Sequence, residues 1–169
     1  MKRRQNQRTL ALDVRSKRIG YAVFENGALL DAGVTRFRTL HAAKVRLTVL
    51  IGKFRPRVVV LRRIAKMSSR NCKGTRAVIR MVEQVAGRVQ VRIAFVANVA
   101  IAETFLKEQA ATKYQIATFL IHTFPSLAWR LPAPRKAWEG EHRNMAIFDA
   151  VAVGLAHQPI RSDGHSTLT

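Results

Sequence analysis

Residues 8–36 confine the fold more tightly than any other stretch. Three apolar runs, at 9–14, 19–24 and about 28–36, are separated only by short polar breaks, and Glu25-Asn26-Gly27 stands between the second and third. Asn-Gly readily takes the positive φ angles that a two-residue hairpin turn demands. The pattern predicts an antiparallel meander of three strands. The first strand, with Leu10 and Leu12 on one face, ends in Asp13. Thirty Lys and Arg face ten Asp and Glu in the 169-residue chain, so a carboxylate at the end of a buried strand is unusual here. It is either a metal ligand or an ordinary turn residue.

After residue 36 the period changes. Ala43, Leu47, Leu50, Ile51 and Phe54 recur at helical spacing, and Pro56 ends that helix. "RVVVL" at 57–61 is apolar on both faces, as suits a buried central strand. Residues 62–76 are polar, a helix covers 75–87, and "VRIAFV" at 91–96 is a fifth strand. Helical stretches follow near 98–108 and 112–123. "FPSLAWRLPAPRKAW" holds three prolines and is expected to be irregular. Residues 143–157 form a last helix, with Met145, Phe148, Ala152 and Leu155 as its apolar stripe. The order predicts an α/β fold: a mixed five-stranded sheet, first an antiparallel meander and then alternating strands and helices, with helices on both faces. One domain is expected over 1–158, followed by a flexible tail at 159–169.

The net charge of +20 is far above that of an ordinary domain of this size. Such a field attracts polyanions, and nucleic acid is the leading partner. From Ala32 to Val82 there are 51 residues without an acid, carrying 14 Lys or Arg. The densest part, "RRIAKMSSRNCKGTR" at 62–76, holds Arg62, Arg63, Lys66, Arg70, Lys73 and Arg76 among small polar residues, a composition suited to tracking phosphates. A solvated loop is the alternative. Trp129 and Trp138 bracket the proline-rich basic stretch, where a ring either stacks on a base or packs over the core. A single cysteine, Cys72, excludes an internal disulfide, and no Cys/His cluster has zinc spacing. No segment reaches the ~20 apolar residues of a membrane span, and the basic N-terminus lacks the apolar run of a signal peptide. A cytoplasmic protein with no membrane partner is expected.

The motif "LALDVRSKRIGYAVF" places an Asp at the end of the first strand, then a short turn and Gly-Tyr. "FDAVAVGLAH" at 148–157 gives Asp-Ala-x-Ala-x and a closing His, and "TKYQIATFLIHTF" puts a Lys at the head of a helix. In this order and spacing the chain, over residues 9–157, resembles the RuvC family of Holliday-junction resolvases, within the RNase H-like superfamily. The resemblance implies a metal-dependent endonuclease for branched DNA, acting in recombination and repair, with a homodimer as its implied assembly. It implies that Mg²⁺, with Mn²⁺ as substitute, is held by Asp13 and Asp149. Two divalent ions about 4 Å apart can activate a water and stabilise a leaving oxygen in phosphodiester hydrolysis, and carboxylates must hold them.

The chain departs from that pattern at two positions. Arg62 stands where the family has a Glu at the end of the fourth strand, and Ala146 replaces an acid three residues before Asp149. Glu141 is the candidate third catalytic and metal-binding acid. On a continuous helix it would lie about 12 Å and roughly 80° from Asp149, too far to share an ion. If 139–142 are irregular, it can fold back towards Asp13. Were the helix to begin early, His142 would share Asp149's face, where some nucleases place a His on the attacking water. Glu139, Glu141 and His142 are otherwise ordinary polar residues near a helix start. The leading expectation is a Mg²⁺-dependent nuclease, since Asp13 and Asp149 are both present in a chain short of acids; the alternative is a catalytically degenerate protein that binds structured DNA or RNA without cutting. If Arg62 points into the site, its guanidinium takes the place of a metal ion; if it points away, Glu141 can complete the site.

Overall fold

The computed structural model describes residues 7–64 and 72–158. Strands β1 (Arg8–Val14), β2 (Arg18–Glu25) and β3 (Ala28–Arg36) form the meander. Asn26 and Gly27, with φ of 52° and 91°, make the β2–β3 turn, a geometry that glycine adopts without steric cost. Helix α1 (Leu40–Phe54), β4 (Val58–Arg62), α2 (Cys72–Arg88), β5 (Arg92–Val96), α3 (Asn98–Leu106), α4 (Lys113–Thr123) and α5 (Met145–His157) follow. The sheet order is β3-β2-β1-β4-β5. β1 pairs antiparallel with β2 and parallel with β4, so β1 is central and carries the switch between the two pairing modes.

Alternation along the strands divides the core. Leu10, Leu12, Val59 and Leu61 face one side, against Leu47 and Ile51 of α1 and Val78, Met81 and Val82 of α2. Ala11, Val58 and Val60 face the other, against Ile101 and Phe105 of α3, Leu120 of α4 and the apolar run of α5. Local chemistry starts the helices. The Thr39 hydroxyl accepts from the Ala42 N–H, and Thr112 and Gln115 form a reciprocal capping box at the head of α4.

The element boundaries differ from expectation in three places. α2 begins at Cys72, so part of the expected polar loop is helical. Pro125, whose fixed φ suits a first helical position, opens a 3₁₀ helix over Pro125–Arg130 within the stretch expected to be irregular. α5 begins at Met145, two residues later than expected, with Asn144 as its N-cap: its side chain donates to the Arg130 carbonyl (3.0 Å), its N–H to His142 Nδ1 (3.2 Å), and its carbonyl accepts from the Ile147 N–H. Residues 159–169 lie outside the described residues. Among the described residues, no helix is long and apolar enough to cross a membrane.

Candidate nucleic-acid interface and acid cluster

Strand parity decides what gathers at the C-terminal ends of β1 and β4. Asp13 continues the face of Ala11, and Arg62 continues the face of Val58 and Val60, so both are directed to the α5 side. The parallel register Leu12–Leu61 makes them neighbours. On the other side of β1, Asp13 is paired with Gly20 of β2. A Cβ at Gly20 would lie 1.9 Å from the Ala146 carbonyl oxygen. The missing side chain therefore lets the first turn of α5 rest on the backbone of β2, and Asp149, one turn later, comes over the end of β1. Asp13 and Asp149 are the buried charged residues of the described core, at 2% and 6% exposure.

Four cations surround these acids and the nearby Glu141. Arg15 spans both aspartates, with Nε donating to Asp13 Oδ2 (3.0 Å) and Nη2 to Asp149 Oδ2 (3.2 Å). Lys113, the first residue of α4, donates from Nζ to Asp149 Oδ2 (3.0 Å) and to Glu141 Oε1 (2.5 Å). Arg18 donates from Nη2 to Glu141 Oε2 (3.2 Å). Arg62 Nη2 lies 3.6 Å from Asp149 Oδ1, a looser ion pair, and Arg62 Nε is buried without a hydrogen-bond partner among the described residues. Burial raises the Asp13 carboxyl, and the like charge of Asp149 adds to the shift, against the pull of Arg15 and Arg62. Burial would also raise Glu141, but the hydrogen bond and charge of Lys113, helped by Arg15 and Arg18, outweigh it and hold that carboxyl below its usual range.

Asp13 and Asp149 are thus brought together, as expected. Arg62 points into the cluster. Glu141 does fold back, because residues 139–142 are not helical; it meets Lys113 and Arg18, and Lys113 links it to Asp149. His142 precedes the helix and accepts from Asn144, so it does not share Asp149's helical face. The donor set does not fit a divalent ion as it stands. Each carboxylate is already held by at least one fixed cation, and the third acid is turned onto two. Among the described residues, no group of three His, Cys, Asp or Glu is placed to hold a metal.

The basic surface continues beside this cluster. A Cβ at Gly74 would come within 2.8 Å of the Ser16 Cβ, so the start of α2 lies against the β1–β2 turn. Arg63, Lys73 and Arg76 are exposed on this side, while Lys66 and Arg70 lie outside the described residues. Sequence reasoning missed the pairing roles of Arg15, Arg18 and Lys113. A signal for Arg15 was available: it follows Asp13 by two residues, the spacing that returns a side chain to the same face of an extended chain. Nothing local marks Lys113 as a partner of Asp149, 36 residues away.

No family model and no curated protein matches the sequence. Solved structures do match. Thermus thermophilus RuvC in complex with a Holliday junction substrate aligns over 89% of this chain and 92% of its own, with a TM-score of 0.65 at 16% identity. The yeast mitochondrial Holliday junction resolvase aligns over 89% of this chain and 77% of its own, with a TM-score of 0.65 at 11% identity. With its mixed sheet and the order of its helices, the chain has the RuvC-like form of the RNase H fold.

Proposed function

We propose that this protein binds branched nucleic acid through the cation-rich end of its sheet, and that the cluster at Asp13 and Asp149 serves phosphate binding in place of metal-dependent cleavage. The observation that carries this reading is Arg62. Its guanidinium is directed into the cleft with the side chain 24% exposed, and among the described residues it is held by a loose 3.6 Å ion pair to Asp149 and by the charge of Asp13. A phosphodiester oxygen can pair with the exposed part of that side chain and add to a pairing the fold leaves loose. Counted with their direct partners, Arg15, Arg18, Arg62 and Lys113 exceed Asp13, Asp149 and Glu141 by one charge when all are ionised. Arg63 and Lys73 extend the positive surface. The junction held by the Thermus thermophilus structure makes a four-way DNA junction the first substrate to try.

A second reading is favoured by one observation. Two buried carboxylates stand close enough for Asp149 to raise Asp13, and a divalent cation would relieve that repulsion. On this reading the protein is a Mg²⁺- or Mn²⁺-dependent endonuclease of crossover-junction type, and Lys113 must release Asp149 before an ion enters.

One experiment separates the two. Wild type and Arg62→Glu are incubated with four-way junction, duplex and RNA–DNA hybrid, with Mg²⁺ or Mn²⁺. On the binding reading the wild type binds the junction without cutting it, and Arg62→Glu gains divalent-dependent cleavage while binding more weakly. A wild type that cuts, and that loses cutting in Asp13→Asn and in Glu141→Gln alike, establishes the second reading instead. Failure to bind any nucleic acid at ~50 mM salt defeats both.

A further inference from the structure

Two large rings on this protein lie mostly in solvent. Trp129 is 77% exposed and Trp138 is 81% exposed. A packed tryptophan buries about 150–250 Å², so a ring left in water gives up that gain unless a partner covers it. The two rings differ in one respect. The Arg130 guanidinium sits 4.6 Å from the Trp129 ring centroid and is anchored by a bond to the Ala32 carbonyl, which covers one face of Trp129. Trp138 is more open. It tops a turn closed by two bonds, Glu139 N–H to the Lys136 carbonyl and Lys136 N–H to Glu139 Oε2, both 3.1 Å. Lys136 Nζ stands 5.6 Å from the Trp138 centroid.

Beside this turn runs a groove of 960 Å³, lined by Tyr114, Pro132 to Pro134 and Arg135 and by Glu139 of the turn itself, the chain neighbour of Trp138. Lys113 and Glu141 also line it, so the groove opens directly from the acid–cation cluster. Flat apolar walls, a cation and an exposed indole are the parts that bind single-stranded nucleic acid without regard to sequence, because every base offers a π-face. A base inside a continuous duplex is already stacked on both faces and cannot use them.

We infer that this turn and the groove beside it take an unpaired nucleotide from the bound nucleic acid, its base stacked on the exposed Trp138 ring and its phosphate against Arg135 of the groove. The inference rests on the nucleic-acid-binding reading above and adds what is read there: unpaired bases next to the cluster, as found at a branch point.

The chain has two tryptophans, so Trp129→Phe leaves Trp138 as its single indole reporter. This variant is titrated with a fluorescently labelled oligo-thymidine strand and with a labelled dumbbell duplex closed at both ends by non-nucleotide glycol linkers, so that it has neither free ends nor unpaired bases. Label anisotropy reports binding, and indole emission reports stacking. Quenching of Trp138 by the single strand and not by the dumbbell is expected. Trp138→Ala in the full chain should weaken single-strand binding about tenfold, within the range of one stacked base, and leave dumbbell binding within about twofold; Trp138→Phe should restore most of the loss. Single-strand binding with unchanged Trp138 emission, or an equal loss on both ligands, overturns the inference and leaves nucleic-acid binding intact. Absence of binding to either ligand overturns both.

Discussion

Helices α2 and α5 cover opposite faces of the same sheet and handle charge in opposite ways. In α5, ten consecutive residues from Met145 to Gly154 are buried, and the acid among them, Asp149, is buried too. α2 is amphipathic: Val78, Met81, Val82 and Val85 face the core, while Lys73, Arg80 and Arg88 face water. A charge carried into the core must be paired individually, because its desolvation cost falls at that spot. A charge on an outward helix face keeps its hydration and acts through the summed field. The protein therefore holds a site on one helix and a basic surface on the other.

The largest effect should come from breaking the docking of α5. Gly20→Val sets a branched side chain against the Ala146 carbonyl, and this should cost more than about 4 kcal/mol, the range that marks disruption of packing. Denaturant melts and circular dichroism should show a destabilised or unfolded chain. On the α2 side, Met81→Ala should cost about 2–5 kcal/mol through the cavity left in the core, with affinity for a four-way junction unchanged below the new midpoint. A loss of binding in the folded Met81→Ala protein would show that α2's buried stripe, and not only its outer face, shapes the nucleic-acid surface.

Arg63→Ala with Lys73→Ala should leave stability within about 0.5 kcal/mol, since both side chains are exposed. The log–log salt dependence of duplex binding should flatten by about 0.9 for each phosphate that the variant no longer neutralises. An unchanged slope would remove these residues from the interface. The smallest effects concern pH, and they have opposite signs at the two kinds of acid. Asp13 is raised above the ordinary aspartate value of 3.8 by burial and by Asp149. Its protonated form is favoured in the fold, so the stability it contributes is present in acid and is lost as pH rises past 3.8 towards the raised value. Asp13→Asn should therefore melt above wild type at pH 7, with the gap closing on acidification. Glu141 is lowered from 4.5, chiefly by Lys113 against the opposing burial. Its contribution is present above 4.5 and lost as pH falls through the lowered value, so Glu141→Gln should melt below wild type at pH 7 and converge with it in acid. Matching pH profiles for the two variants would contradict the difference between a buried like-charge pair and a cation-held surface acid.

Much of this fold was legible because its signals are local. The Asn26-Gly27 turn, the β-branched run of β4, Pro56 after α1 and the helical spacing of α5 each act within a few residues, and each element lies within a few residues of its expected place. Boundaries moved by a few residues, as at α5, where Asn144 is the N-cap while its side chain reaches the Arg130 carbonyl 14 residues away. Sequence alone also placed Asp13, Asp149 and Arg62 as the residues to watch, through strand-end position and through resemblance. It left two arrangements open at Arg62 and at Glu141, and the tertiary structure decided between them. The parallel register of β1 on β4 makes Arg62 the neighbour of Asp13. The close approach at Gly20 brings Asp149 over the same strand end. Lys113, arriving on α4, holds Glu141 and joins it to Asp149 through one ammonium. Periodicity reports which face a residue occupies, but an ion pair depends on which elements meet, and here they meet across 28 to 134 residues of chain.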